Sequence, residues 1–200
     1  MRKIFLVLIF SFLIAGVNAQ ENTGLLKSVQ QKFESLSDFS AEVKQIANGK
    51  SNFTGKVFFK KNDKFRVEFK NTVLVSDGST TWNYNKKENK VIINEFDNSS
   101  PSALSFNTIL NDYPAKCNVT ESDENGKSVI TLTPQKKSDL EFKEVKLLVN
   151  KNDLVEKVTV SQQGGNTMTI EISNYKLNQN IPDSQFSFSP PEGTTVIDLR

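Results

Sequence analysis

Apolar and polar positions alternate along most of this chain. Residues 64–70 are the clearest case, with Phe65, Val67 and Phe69 on one side and Lys64, Arg66, Glu68 and Lys70 on the other. A period of two is that of a strand with one wet and one apolar face. Residues 39–48, 53–60, 73–76, 80–84 and 90–96 read the same way. Short polar links separate them, among them Asn48-Gly49, Lys61-Asn62-Asp63 and Asp77-Gly78. Links of hairpin length predict an antiparallel meander. Residues 115–122, 127–133, 142–149, 154–162 and 167–173 predict a second meander. Weaker strand patterns follow over 174–181 and, carrying Phe186 and Phe188, over 185–189.

Two stretches break this period. Over residues 20–37, Leu25, Leu26, Val29, Phe33 and Leu36 form one helical stripe, with Asn22 or Thr23 placed to cap its start. Between the meanders, Ser100 and Pro101 open a second helical pattern. It carries Ala103, Leu104, Phe106, Ile109, Leu110 and Tyr113 and has little polar face. The expectation is one wide antiparallel sheet of about ten or eleven strands that must curl, with a long helix and an inserted short helix on one face. The fold class is mostly β (α+β).

Residues 1–19 are set apart. Arg2 and Lys3 precede an apolar run from Ile4 to Ile14, and Val17 and Ala19 offer small residues before a cut at Gln20. This is the pattern of a cleaved secretory signal peptide, too short to span a bilayer. Residues 20–200 are then one domain. No cysteine lies near Ala19, so no lipid anchor is expected there. The chain has 25 Lys and Arg against 23 Asp and Glu. Without Arg2 and Lys3 the balance is even, which argues against nucleic acid as a partner.

Candidate chemistry is sparse. Histidine is absent, which removes His-based triads and most zinc or iron sites. Asp77 has a turn-forming reason to precede Gly78. No carboxylate cluster, phosphate loop or nucleophile elbow is found, so no catalytic residue, metal or cofactor is expected. Cys117 is the only cysteine and reads as a small buried hydrophobe. Phenylalanine is abundant instead, with twelve of the fifteen beyond the leader.

Three stretches together resemble the periplasmic outer-membrane lipoprotein carrier (LolA) family. They are the Gly55-led strand with its Phe-bearing return through Phe69, Val75-Ser76-Asp77-Gly78 with Trp82 and Tyr84, and Phe186-x-Phe188-x-Pro190-Pro191-x-Gly193. The resemblance covers essentially all of residues 20–200. It implies an unclosed β-barrel whose helices form a lid over the concave side. It also implies a monomeric periplasmic carrier, neither enzyme nor cofactor-dependent, that shields acylated lipoproteins. Its implied partners are an inner-membrane releasing transporter and an outer-membrane acceptor or membrane surface.

On this reading Val57, Phe59, Phe65, Val67, Phe69, Trp82, Tyr84, Val91 and Ile93 are wall candidates, though Phe58, Leu74 and Ile92 offer a second parity. Leu26, Val29, Phe33, Leu104, Ile109 and Leu110 are lid candidates. The family often places an Arg-Pro pair after the second strand as a lid latch. Here those positions hold Lys61 and Asn62, and lysine lacks the planar donor fork. Two alternatives remain, a lipid- or lipoprotein-sensing module of the same fold and a His-free secreted hydrolase.

Overall fold

The computed structural model describes residues 24–96 and 107–200. The expected leader, the Asn22 or Thr23 cap, and Ser100, Pro101, Ala103, Leu104 and Phe106 of the inserted helix lie outside the described residues. A helix, α1 (Leu25–Ser35), comes first. The first meander follows as β1 (Asp38–Ala47), β2 (Lys50–Lys60), β3 (Lys64–Phe69), β4 (Thr72–Asp77), β5 (Thr80–Asn85) and β6 (Lys90–Glu95). A π-helical turn (Thr108–Asp112) then runs into α2 (Tyr113–Lys116). The second meander is β7 (Cys117–Glu124), β8 (Lys127–Pro134), β9 (Phe142–Val149), β10 (Val155–Gln162) and β11 (Thr167–Leu177), and β12 (Thr195–Asp198) ends the chain.

All twelve strands form one curved sheet in the order β12-β6-β5-β4-β3-β2-β1-β11-β10-β9-β8-β7. The two meanders are joined side by side through β1 and β11. The edges β12 and β7 do not pair, so the barrel stays open. Three details depart from the sequence pattern. Residues 174–177 extend β11 across a bulge opposite Ala41, where Asn174 takes φ +55°; the extra residue re-aims the strand. Residues 183–186 form a 3-10 turn rather than a strand. β12 pairs parallel to β6, the one parallel ladder of the sheet.

The apolar stripe of α1 lies on the face lined by Ala41, Val57, Val67, Ile130, Leu132, Val145, Leu147 and Ile170, in one buried cluster with Leu26 and Val29. The helix start is held from across the sheet. Glu121 on β7 accepts from Leu25 N at 3.1 Å and from Leu26 N at 2.9 Å. A carboxylate there satisfies two orphan donors and complements the helix dipole. Glu121→Ala is therefore expected to cost about 1–2 kcal/mol, read as a lower urea midpoint with an unchanged slope.

The last turn of the inserted helix is shaped by Pro114. Proline has no N–H to return to the carbonyl four residues back, which here belongs to Leu110. The ladder widens instead, with Tyr113 N bonding Thr108 O, and Gln30 Nε2 of α1 donates to the freed Leu110 carbonyl at 2.7 Å. A proline at this point accounts for the π-turn, and the Gln30 bond ties α1 to the inserted segment.

Candidate functional site

Directly opposed residues of antiparallel strands share a face, so the register decides which side chains meet. Val57 opposes Val67, and Phe59 opposes Phe65. Val67 opposes Leu74. These residues and Phe69 pack against the cluster that contains α1, on the concave side. Val75, by contrast, opposes Arg66 on β3 and Trp82 on β5, and Trp82 opposes Ile93. Val73, Tyr84 and Val91 form the adjacent row. Both rows face outward.

The nine wall candidates therefore do not share a wall. Val57, Phe59, Phe65, Val67 and Phe69 line the concave face. Trp82, Tyr84, Val91 and Ile93 lie on the convex one. The physical reason is that the C-terminal segment crosses outside and covers β3–β6. Phe186, 1% exposed, packs there from the 3-10 turn, and Phe188 lies 5.2 Å from Tyr84 between ring centroids. Arg66 Nη1 donates to Ser187 O at 3.5 Å. Asn89 fastens the far end, donating to Gly193 O and accepting from Thr194 Oγ1 and Tyr84 Oη, each at 2.9 Å. Lys60 and Lys64 both reach Asp183 and hold its carboxyl below the usual carboxylate range. These pairs persist at neutral pH and are lost only as acid protonates Asp183.

The concave wall is aromatic. Phe33 of α1 lies 4.8 Å from Phe59 and 5.9 Å from Phe39. Phe39 stacks on Phe59 at 5.2 Å and meets Tyr175 at 5.6 Å. The line continues through Phe65 and Phe96, 6.3 Å apart, and through Phe69 and Phe53 at 5.7 Å. Phe33, Phe59, Phe65, Phe69 and Leu74 are only half-buried, and Phe53 is exposed. Gly55 makes room for part of this wall. A Cβ there would lie 2.2 Å from Glu68 O and 2.7 Å from the Phe69 ring. Of the second parity, Leu74 and Ile92 lie on the concave side with Val67, and Phe58 lies on the convex side opposite Arg66, a division only the register identifies; Phe53 was not among the candidates.

The lid candidates divide as well. Leu26, Val29, Ile109 and Leu110 are buried with the concave wall, and Phe33 packs against it; Leu104 lies outside the described residues. A crevice of about 10 Å3 remains between Val29, Phe33, Leu110, Leu154 and Tyr175. That is room for one water at most, so the bowl is closed at this point. Lys61 makes no latch contact among the described residues. It is exposed, and its side chain makes no hydrogen bond or ion pair among the described residues. Only its backbone is used, with Lys61 N donating to Ser37 O at 3.2 Å. Asn62 beside it has φ +65°, a conformation closed to proline. Among the described residues, Gln30 of α1 hydrogen-bonds the inserted segment at Leu110 O.

The polar groups near the bowl have structural work. Asp77 accepts from Ser79 N, Thr80 N and Ser79 Oγ in its turn. Tyr175 donates to Val155 O at 2.7 Å, and burial pushes its phenol up. No group of three or more Cys, Asp or Glu able to hold a metal occurs among the described residues. Cys117, 4% exposed at the end of α2, has its thiol pushed up to about 11 by burial. A thiol reagent at pH 8 is expected to leave the native protein unmodified and to label it on denaturation. Fast labelling of native protein would mean that this corner opens.

The family described as outer membrane lipoprotein carrier protein LolA matches residues 34–189. An outer-membrane lipoprotein carrier protein of Chromobacterium violaceum is 24% identical over 206 aligned residues, covering 98% of each chain. An uncharacterised protein of Methanocaldococcus jannaschii is 27% identical over 96% of this chain, which spans only 58% of that relative's length. An uncharacterised protein of Thermus thermophilus has a similar fold, with a TM-score of 0.58 and 15% identity over 87% of this chain and 96% of that one.

Proposed function

This chain belongs to the LolA family of outer membrane lipoprotein carrier proteins, and from that premise we propose that it shields the acyl chains of lipoproteins during their passage through the periplasm. The observation that carries the reading is the half-buried aromatic wall on the concave face, closed over by α1 and the inserted segment. Hiding an acyl chain of about sixteen carbons is worth roughly 10 kcal/mol, at about 0.8 kcal/mol per methylene. An open sheet supplies such a wall, and a cover that can lift lets the cargo leave again. The chain hands over cargo without covalent chemistry. It receives lipoproteins from a releasing transporter in the inner membrane and delivers them to an acceptor at the outer membrane. No described helix is long and apolar enough to cross a membrane.

Cargo enters where the cover lifts, and the Gln30 bond to Leu110 O is a polar link across that joint. Gln30→Leu keeps the helix and removes the bond. Losing one such bond, about 1 kcal/mol, is expected to raise the uptake rate of a fluorescent acyl probe roughly fivefold in stopped-flow mixing. The function itself is tested by depletion. Lipoproteins are expected to accumulate at the inner membrane when this chain is removed. Normal delivery without it, together with failure of the purified protein to take up any acyl probe, overturns the proposal.

A further inference from the structure

Beyond β4 the concave face turns partly polar, with Ile92 and, just after β6, Phe96 as its apolar side chains. Following one cross-strand row, Val57, Val67 and Leu74 lead to Asn83 and Ile92. In the next row, Phe59 and Phe65 lead through Ser76 to Thr81 and Asn94. Strands lie about 4.8 Å apart, so phenyl rings give way to hydroxyls and amides within two strands. Asn83 is exposed, and Thr81 and Asn94 are half-buried. Thr81 Oγ1 donates to Asn94 O at 3.4 Å. The side-chain amides of Asn83 and Asn94 make no hydrogen bond among the described residues.

A merely solvated face does not look like this. The wet outer face of β1, β10 and β11 carries Lys44, Lys157 and Glu171 in ion pairs. The concave lane on β5 and β6 is uncharged over Thr81, Asn83, Ile92 and Asn94, with Lys90 only at its end. Asparagine is also among the residues depleted in strands, so two of them side by side inside a six-strand meander have no local conformational reason. Their donors and acceptors face the bowl beside the aromatic wall and suit a neutral polar group joined to an acyl chain.

We propose that Thr81, Asn83 and Asn94 form a polar subsite for the ester and amide groups of an acylated peptide, continuous with the apolar wall that holds its chains. The inference rests on the carrier reading and adds the residues that hold the polar part of that cargo. Phospholipids share the glyceryl esters but lack the peptide amides, so pairing of the asparagine amides with a peptide favours acylated peptides over phospholipids.

The experiment uses the full chain from residue 20 and two ligands. Parinaric acid reports on the acyl wall alone, and a synthetic dipalmitoylglyceryl-cysteinyl peptide, displacing it, reports on both parts. In Asn83→Leu/Asn94→Leu, parinaric acid is expected to bind within about twofold of wild type. The lipopeptide is expected to weaken about tenfold or more, the loss of two or so hydrogen bonds. Asn83→Thr, a residue that strands accept, is expected to fall between and serves if the double variant does not fold. An unchanged lipopeptide affinity overturns the subsite, as does an equal loss for both ligands. So does an anionic phospholipid that displaces the probe as well as the lipopeptide and suffers the same loss. If wild type binds neither ligand, the carrier reading fails first and the subsite with it.

Discussion

Phe65→Glu is expected to lower the affinity for a fluorescent acyl probe on the order of a hundredfold while the protein stays folded. Phe65 opposes Phe59 on the concave face and is half-buried, 6.3 Å from Phe96. Its carboxylate replacement keeps water when the bowl is empty. An acyl chain must strip that water away, and an apolar ligand returns no hydrogen bond for it. Phe65→Leu keeps the wall apolar and is expected to bind nearly as wild type. The informative control is Trp82→Glu. Trp82 lies on the opposite face, against Val75 and Ile93, so its replacement is expected to cost stability with little effect on probe affinity in the folded fraction. Fluorescence titration with urea melts of all three variants separates the faces. Equal binding by Phe65→Glu and wild type would remove the wall from the site.

Asp38→Ala is expected to destabilise the protein by roughly 2–5 kcal/mol, the largest single-site effect outside the apolar core. Asp38 is 1% exposed. Its carboxylate accepts from Gln179 N at 2.7 Å and from Ile181 N at 3.3 Å, and its own carbonyl accepts from Asn178 N at 2.9 Å. These bonds hold the point where the chain leaves β11 and crosses to the convex face. Alanine leaves two amides without acceptors, one of them buried. The C-terminal cover then loses its anchor above Val73, Val75 and Val91. Trp82, the only tryptophan, sits under that cover and reports on it directly. Its emission is expected to shift red at urea concentrations where wild type is native. Asp38→Asn retains one acceptor and is expected to lose less than half as much. A wild-type urea midpoint for Asp38→Ala would show that the crossover is held by its apolar contacts alone.

The alternation of residues 64–70, the Asp77-Gly78 turn and the helical stripe of Leu26, Val29 and Phe33 were legible without coordinates, because each depends on neighbours within a few positions. Three motif stretches, Gly55 to Phe69, Val75 to Tyr84 and Phe186 to Gly193, carried the resemblance to the family that residues 34–189 match. What period alone could not supply was the side of the sheet that each apolar row occupies. Phe65 and Trp82 both sit in alternating strands, and alternation says only that one face is apolar, not which one is concave.

Tertiary structure decided that question by covering both faces. α1 and the inserted turn pack on the concave side of β1–β3 and β8–β11, while residues 178–194 cover the convex side of β3–β6. The buried apolar face therefore moves to the convex side from β4 onward, and the concave lane beyond Leu74 carries Thr81, Asn83 and Asn94 beside Ile92 and Phe96. The same holds for the Gln30 bond. Gln30 and Leu110 are eighty residues apart, and only the fold brings them within hydrogen-bonding distance. Local period, turn chemistry and composition are properties of short stretches and were set by the sequence read in order. The division of the sheet into an aromatic wall, an amide lane and a buried outer core depends on contacts between distant segments, and only the folded chain brings those together.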